Sequence, residues 1–111
     1  MDIEVKTVGD AKVLVLMKRF DAYTAGPVEA KLTKTIAEGA RKVLCDFSQT
    51  EYLASAGLRV LITATKSLQK LGGKLVLCAV QPYVLEVFDV SGLNKIFKMY
   101  PSVEAALEDL K

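Results

Sequence analysis

At 111 residues the chain is long enough for one domain with a packed core, expected to span 1–111, and too short for two. A hydrophobic fraction of 51% against 25% charged argues for a globular protein rather than a disordered one, and 15 basic against 13 acidic side chains give no electrostatic case for direct nucleic-acid binding. No run of about 18 apolar residues is present for membrane insertion, and the start Met1-Asp2-Ile3-Glu4-Val5 lacks the basic-then-apolar pattern of a signal peptide, so a cytoplasmic location is expected.

Residues 3–8 and 11–17 read as two strands joined by Gly9-Asp10, a dipeptide suited to a tight hairpin. After Arg19-Phe20-Asp21-Ala22-Tyr23-Thr24 a helix is expected from about Gly26-Pro27, with Pro27 in its first turn, Gly39 near its end and Val28, Leu32, Thr35 and Ile36 on one face. The apolar run 43–47 has the composition of a strand covered on both sides. A helix over 56–71 follows, with Leu58, Leu61, Ile62, Thr65 and Leu68 at helical spacing, Arg59, Thr63, Lys66 and Lys70 opposite them, and Gly72-Gly73 as its stop. A strand over 74–80 leads to a helix over 82–90 opened by Pro82, with Val84, Leu85, Val87 and Phe88 as its apolar residues. Gly92 then supplies a left-handed end, followed by Leu93. A short strand over 96–99 and a final helix capped by Ser102, with Val103, Ala106, Leu107 and Leu110 inward, complete the pattern. A hairpin followed by strand and helix alternation gives an α/β class: a mixed sheet of about five strands with parallel crossovers, covered by about four helices.

The most informative position is Ser55, at the junction between the strand over 43–47 and the helix over 56–71. Placed as the N-cap of that helix, its hydroxyl lies beside unpaired backbone N–H groups and partial positive charge, an environment suited to a phosphate. As a plain cap it would contribute about 1 kcal/mol to the fold and nothing else. Catalytic chemistry has little to stand on: there is no histidine for acid–base work, no P-loop pattern and no clustered carboxylates for a metal, so neither an enzyme nor a cofactor is expected. Cys45 and Cys78 lie in apolar strand patterns as buried free thiols, and two isolated cysteines do not make a zinc site.

Four motifs in order, Phe20-Asp21-Ala22-Tyr23-Thr24, Val43-Leu44-Cys45-Asp46-Phe47-Ser48 leading to Ala54-Ser55-Ala56-Gly57-Leu58, Leu71-Gly72-Gly73-Lys74-Leu75-Val76-Leu77 and Val87-Phe88-Asp89-Val90-Ser91-Gly92-Leu93, resemble those of STAS domains over nearly the whole chain. The closest likeness is to the stand-alone anti-sigma-factor antagonists of bacteria. The resemblance implies a partner switch: the unmodified antagonist sequesters an anti-sigma factor that is also a serine kinase, which releases a sigma factor. Phosphorylation breaks the complex and a serine phosphatase restores it. The family's acceptor is the first serine of a loop commonly reading Asp-Ser-Ser-Gly-Leu, and by position it matches Ser55; Ala56 replaces the second serine, Gly57 and Leu58 match, and Ala54 stands where an acid is usual. The resemblance further implies a partner surface of Asp21, Thr24, Ala54, Ser55, Ala56, Gly57, Leu58 and Arg59, with Asp46 supporting the loop and Lys18 in place of a common glycine. A STAS subunit of a lipid-transport or signalling assembly, without a phosphorylation cycle, is the alternative within the same family.

Overall fold

In the computed structural model, which describes residues 3–111, β1 (Glu4–Val8) and β2 (Ala11–Val15) form the expected antiparallel hairpin, Glu4 opposite Val15 and Val8 opposite Ala11. Gly9 turns the chain at φ +62°, a region open to glycine without steric cost. Beyond β2 come the two-residue strand β3 (Arg19–Phe20), helix α1 (Ala25–Ala37), strand β4 (Lys42–Asp46), a second two-residue strand β5 (Tyr52–Leu53) and helix α2 (Ser55–Lys70). Strand β6 (Lys74–Cys78), helix α3 (Pro82–Ser91), a 3₁₀ turn at Leu93–Lys95, strand β7 (Met99–Tyr100) and helix α4 (Val103–Leu110) follow.

The main sheet runs β1-β2-β4-β6-β7, antiparallel at the hairpin and parallel elsewhere. Period-two alternation sorts its side chains. Leu14, Leu16, Val43, Cys45, Phe47, Leu75 and Leu77 face a core closed by Val28 and Leu32 of α1, Leu58, Leu61 and Leu68 of α2, and Val84 and Phe88 of α3. Ala11, Val13, Leu44, Val76 and Cys78 face the other way, onto Ala106 and Leu110 of α4. Phe88 lies edge-on to both Phe47 and Phe97, at centroid separations of 6.2 and 5.6 Å, an arrangement that adds about 0.5–1.5 kcal/mol per pair beyond area burial.

Cys45 is opposite Leu77 in the β4–β6 ladder and Cys78 is opposite Asp46, so the two thiols point to opposite faces of the sheet and cannot bridge. Burial first, and then the neighbouring thiol and Asp46, pushes the Cys45 thiol up to about 12; burial and the Asp46 carboxylate do the same for Cys78.

Several boundaries differ from expectation. α1 begins at Ala25, still with Pro27 in its first turn, and the last strand sits at Met99–Tyr100 because residues 93–95 first make a 3₁₀ turn and Phe97 is drawn into the core. α3 ends as expected on Gly92 at φ +78°, and Ser102 caps α4 by accepting from the Ala105 N–H at 3.1 Å. The β3–β5 ribbon was not expected at all. It is parallel, with Phe20 beside Leu53, and it stands apart from the main sheet.

Candidate functional site

The ribbon is what assembles the site. β2, β4 and β6 all point the same way, so the segments leaving their C-terminal ends converge, as in other open parallel sheets. The segment after β4 is stitched to the one after β2 by four bonds: Thr50 Oγ1 donates to the Met17 carbonyl at 2.9 Å, the Glu51 and Tyr52 N–H groups to the Lys18 carbonyl at 2.8 and 3.2 Å, and the Ala54 N–H to the Phe20 carbonyl at 3.0 Å. Gln81 Nε2, just before α3, donates to the Ser48 carbonyl at 3.1 Å and ties in the third segment. Asp46 Oδ1 accepts from the Ser48 N–H at 2.9 Å and so holds the start of the loop, the supporting position expected for it.

Ser55 corrects the cap assignment. The N-cap of α2 is Ala54, extended at φ −107° and ψ 170°, whose carbonyl accepts from both Gly57 and Leu58 N–H at 3.0 and 3.2 Å. Ser55 is therefore the first helical residue, exposed to solvent. Serine is favoured at a cap when its side chain serves the N–H groups one turn on, but here the backbone ladder starts one residue earlier, on a methyl side chain that can serve none. The first turn of α2 carries neither a side-chain cap nor an acid, and among the described residues the Ser55 hydroxyl makes no hydrogen bond that would activate it as a nucleophile. What the arrangement offers is a free hydroxyl at the positive end of a sixteen-residue helix, with Arg59 one turn on, exposed and without an ion-pair partner among the described residues.

Of the other expected surface residues, Asp21, Ala54 and Ala56 are half-buried, whereas Thr24, Gly57 and Leu58 are buried. Thr24 Oγ1 donates to the Arg19 carbonyl at 2.8 Å and accepts from the Asp21 N–H at 2.9 Å, which locks the turn before α1. A Cβ at Gly57 would lie 2.8 Å from Leu53 Cδ1 and 3.0 Å from Phe20 Cγ; its absence lets the first turn of α2 rest on the ribbon. The Asp21 carboxylate accepts from the Tyr23 N–H at 3.0 Å and from Arg19 Nε at 3.3 Å. Partial desolvation alone would raise its pKa, but the bonds from Tyr23, Arg19 and Thr24 outweigh it and hold the carboxyl below the usual value.

Sequence reasoning missed the aromatic part of the surface. Tyr23 is 92% exposed, and Tyr52 is stacked under the Arg19 guanidinium, 4.4 Å from ring centroid to Cζ. Beside them Met17, Lys18, Arg19, Asp21, Tyr23 and Thr24 line an open groove of about 400 Å³. Two exposed tyrosines and an arginine on one rim are the residue types that anchor protein interfaces, a signal legible only once the loops are brought together. Among the described residues no group of three or more His, Cys, Asp or Glu side chains could hold a metal ion, and no helix is long and apolar enough to cross a membrane.

Comparison with known proteins agrees with this geometry. The chain is 40% identical over 91 residues to BtrV of Bordetella bronchiseptica, by name a candidate anti-sigma factor antagonist, covering 82% of this chain and 78% of that protein. It is 27% identical to an anti-sigma-B factor antagonist of Bacillus subtilis, over 96% of this chain and 89% of the relative. The crystal structure of an anti-sigma factor antagonist from Mycobacterium paratuberculosis superposes with a TM-score of 0.90 at 25% identity, covering 98% of this chain and 92% of that one. The STAS domain family model matches residues 2–106, and with the five-stranded mixed sheet, the four helices and the Ala54-Ser55-Ala56-Gly57-Leu58 turn in place, the chain belongs to the STAS domain family.

Proposed function

We propose that this chain is an anti-sigma factor antagonist: a binding module, not an enzyme, that sequesters an anti-sigma factor with serine-kinase activity and is switched by phosphorylation at Ser55. The relatives' names support the antagonist role, and the observation that carries the switch is the exposed Ser55 hydroxyl on the uncapped first turn of α2. The partner contacts the surface formed by Ser55, Arg59, Asp21, Ala54, Ala56, Tyr23 and Tyr52. Thr24, Gly57 and Leu58 hold that surface in place from below. A phosphate on Ser55 adds about −1.5 to −2 charges at neutral pH, which the partner would have to desolvate in order to bind; a serine phosphatase returns the module to its binding form.

Incubation with the cognate kinase and ATP, followed by mass spectrometry of the peptides, tests the assignment. Phosphate is expected on Ser55 and absent in Ser55→Ala, which keeps kinase affinity by calorimetry, while Ser55→Asp weakens it. Phosphate on another residue with Ser55 unmodified would refute the switch, and stable purification with transporter subunits rather than a kinase would refute the antagonist role.

A further inference from the structure

A second site lies at the other end of α2, where the sheet edge is incomplete. β7 pairs β6 only from Leu77 opposite Met99 onward, so the first three residues of β6 have no strand on that side. Leu77 and Ala79 donate their N–H groups to the Lys98 and Tyr100 carbonyls; by strand alternation Leu75 turns its own N–H and C=O to the same edge, where β7 does not reach. The notch is a cavity of about 140 Å³ lined by Thr65, Gln69, Lys74, Leu75, Val76, Ile96 and Lys98.

Thr65 points to a ligand there. It is only 6% exposed, and its hydroxyl is the one buried side-chain polar atom among the described residues without a hydrogen-bond partner. A helical threonine can satisfy itself on the carbonyl four residues back, as Thr35 does on Lys31 at 2.7 Å and Thr63 on Arg59 at 3.0 Å. Thr65 does not, and a buried hydroxyl left unpaired is destabilising. Donors dominate around it: the Thr65 hydroxyl, the Gln69 amide, the Leu75 N–H and two ammonium groups against the Leu75 carbonyl and the Gln69 oxygen. Asp109 sits 3.5 Å from Lys98 Nζ, which leaves the two lysines and this carboxylate with a net charge of +1. The remaining walls, Leu75, Val76 and Ile96, are apolar, and a cavity of roughly 150 Å³ takes a benzene-sized molecule.

We propose that this notch binds a small organic carboxylate of a few carbons, its oxygens on Thr65, Gln69 and Lys98 and its alkyl part on Ile96 and Leu75. A heteronuclear NMR titration with sodium propionate tests it, against sodium chloride at equal ionic strength. Saturable shifts of the Thr65, Gln69, Leu75 and Lys98 amides are expected with propionate alone, lost in Thr65→Val and with affinity weakened roughly fivefold in Lys98→Met. Thr65→Val is expected to melt no lower than the parent without ligand, since it removes an unsatisfied hydroxyl at nearly constant volume, which shows that the variant is folded. Shifts that chloride reproduces, that fail to saturate or that survive in Thr65→Val would overturn the site. Saturation by sodium phosphate but not by propionate would overturn the carboxylate assignment.

Discussion

Ala54→Asp is expected to stabilise the protein, although it adds a charge beside a half-buried turn. Ala54 already has the extended backbone of a working N-cap, and its carbonyl already starts the helical ladder. What it lacks is a side-chain acceptor for the Ala56 N–H, since the Gly57 N–H already bonds the Ala54 carbonyl at 3.0 Å. The same chain shows the completed version at α4, where Ser102, at φ −152° and ψ 165°, accepts from the N–H three residues on. A cap side chain contributes about 1 kcal/mol, and a negative charge at a helix N-terminus a further 0.3–1 kcal/mol, so the expected gain is roughly 1–2 kcal/mol. For a domain of this size that is a rise in melting temperature of about 4–8 °C. The nearby Asp21 carboxylate opposes the change, but Arg19 and the Tyr23 N–H already hold it. Urea and thermal unfolding of Ala54→Asp and Ala54→Asn, each at low and high salt, separate the two contributions. Both variants carry the cap, only the aspartate carries the salt-sensitive charge, and Ser102→Ala should lose about 1 kcal/mol by the same measurement. If neither substitution at Ala54 raises stability while Ser102→Ala lowers it, the first turn of α2 is not short of a cap and the reasoning fails.

Gly57→Ala and Gly26→Ala should move stability in opposite directions by unfolding titration. A Cβ on Gly57 meets Leu53 and the Phe20 ring, overpacking that costs about 1–3 kcal/mol against a helix-propensity gain of at most about 1 kcal/mol, whereas a Cβ on Gly26 meets nothing within 4 Å and keeps the gain. A stabilised Gly57→Ala would show that the ribbon gives way easily. The thiols of Cys45 and Cys78 should stay unreactive toward a chromogenic disulfide reagent at pH 8 and titrate fully in denaturant; fast reaction of the native protein would mean that β4 and β6 open locally. Acid should destabilise the fold through Asp10, Asp21 and Asp109, whose carboxyls are held below the ordinary 3.8. A depressed carboxyl stabilises above its unfolded pKa, and that contribution is lost as pH falls through the folded one, so unfolding midpoints should be flat from pH 7 to 5 and drop below about pH 4. Neutralising Asp10 and Asp109 by substitution to asparagine should flatten the drop.

The sheet and its helices were legible because their signals are periodic: alternating or continuous apolar runs in β2, β4 and β6, and the i, i+3, i+4 stripe from Leu58 to Leu68 in α2. The ribbon was not, since Arg19–Phe20 and Tyr52–Leu53 are too short to show a period, and their pairing depends on Thr50 reaching a carbonyl 33 residues away. The cap was misplaced by one residue for a related reason. Serine's preference is local, while the position of the first helical carbonyl is fixed by where the ribbon delivers the chain, through the Ala54–Phe20 bond. Gly57 was visible as part of a motif, but the reason for it, an approach to Phe20 and Leu53, exists only in three dimensions.

The same ribbon decides how a mark on Ser55 can act. Because the backbone leading into Ser55 is held by the bonds to Met17, Lys18 and Phe20 and the backbone after it is helical, a phosphate would have little freedom to reshape the loop, and its effect would come through charge and solvation at a fixed surface. Two influences then point the same way. The unsatisfied N–H groups at the start of α2, together with Arg59, would hold a phosphate on Ser55 against the helix, an attraction worth about 1–2 kcal/mol that would keep it within the contact area. A partner covering that area must strip water from a double charge, and a penalty of even about 3–5 kcal/mol lowers affinity between a hundredfold and a few thousandfold. Local stabilisation of the modified helix and loss of the complex are therefore not competing explanations: the stronger the capping, the less able the phosphate is to swing aside, and the larger the share of the desolvation cost that falls on binding.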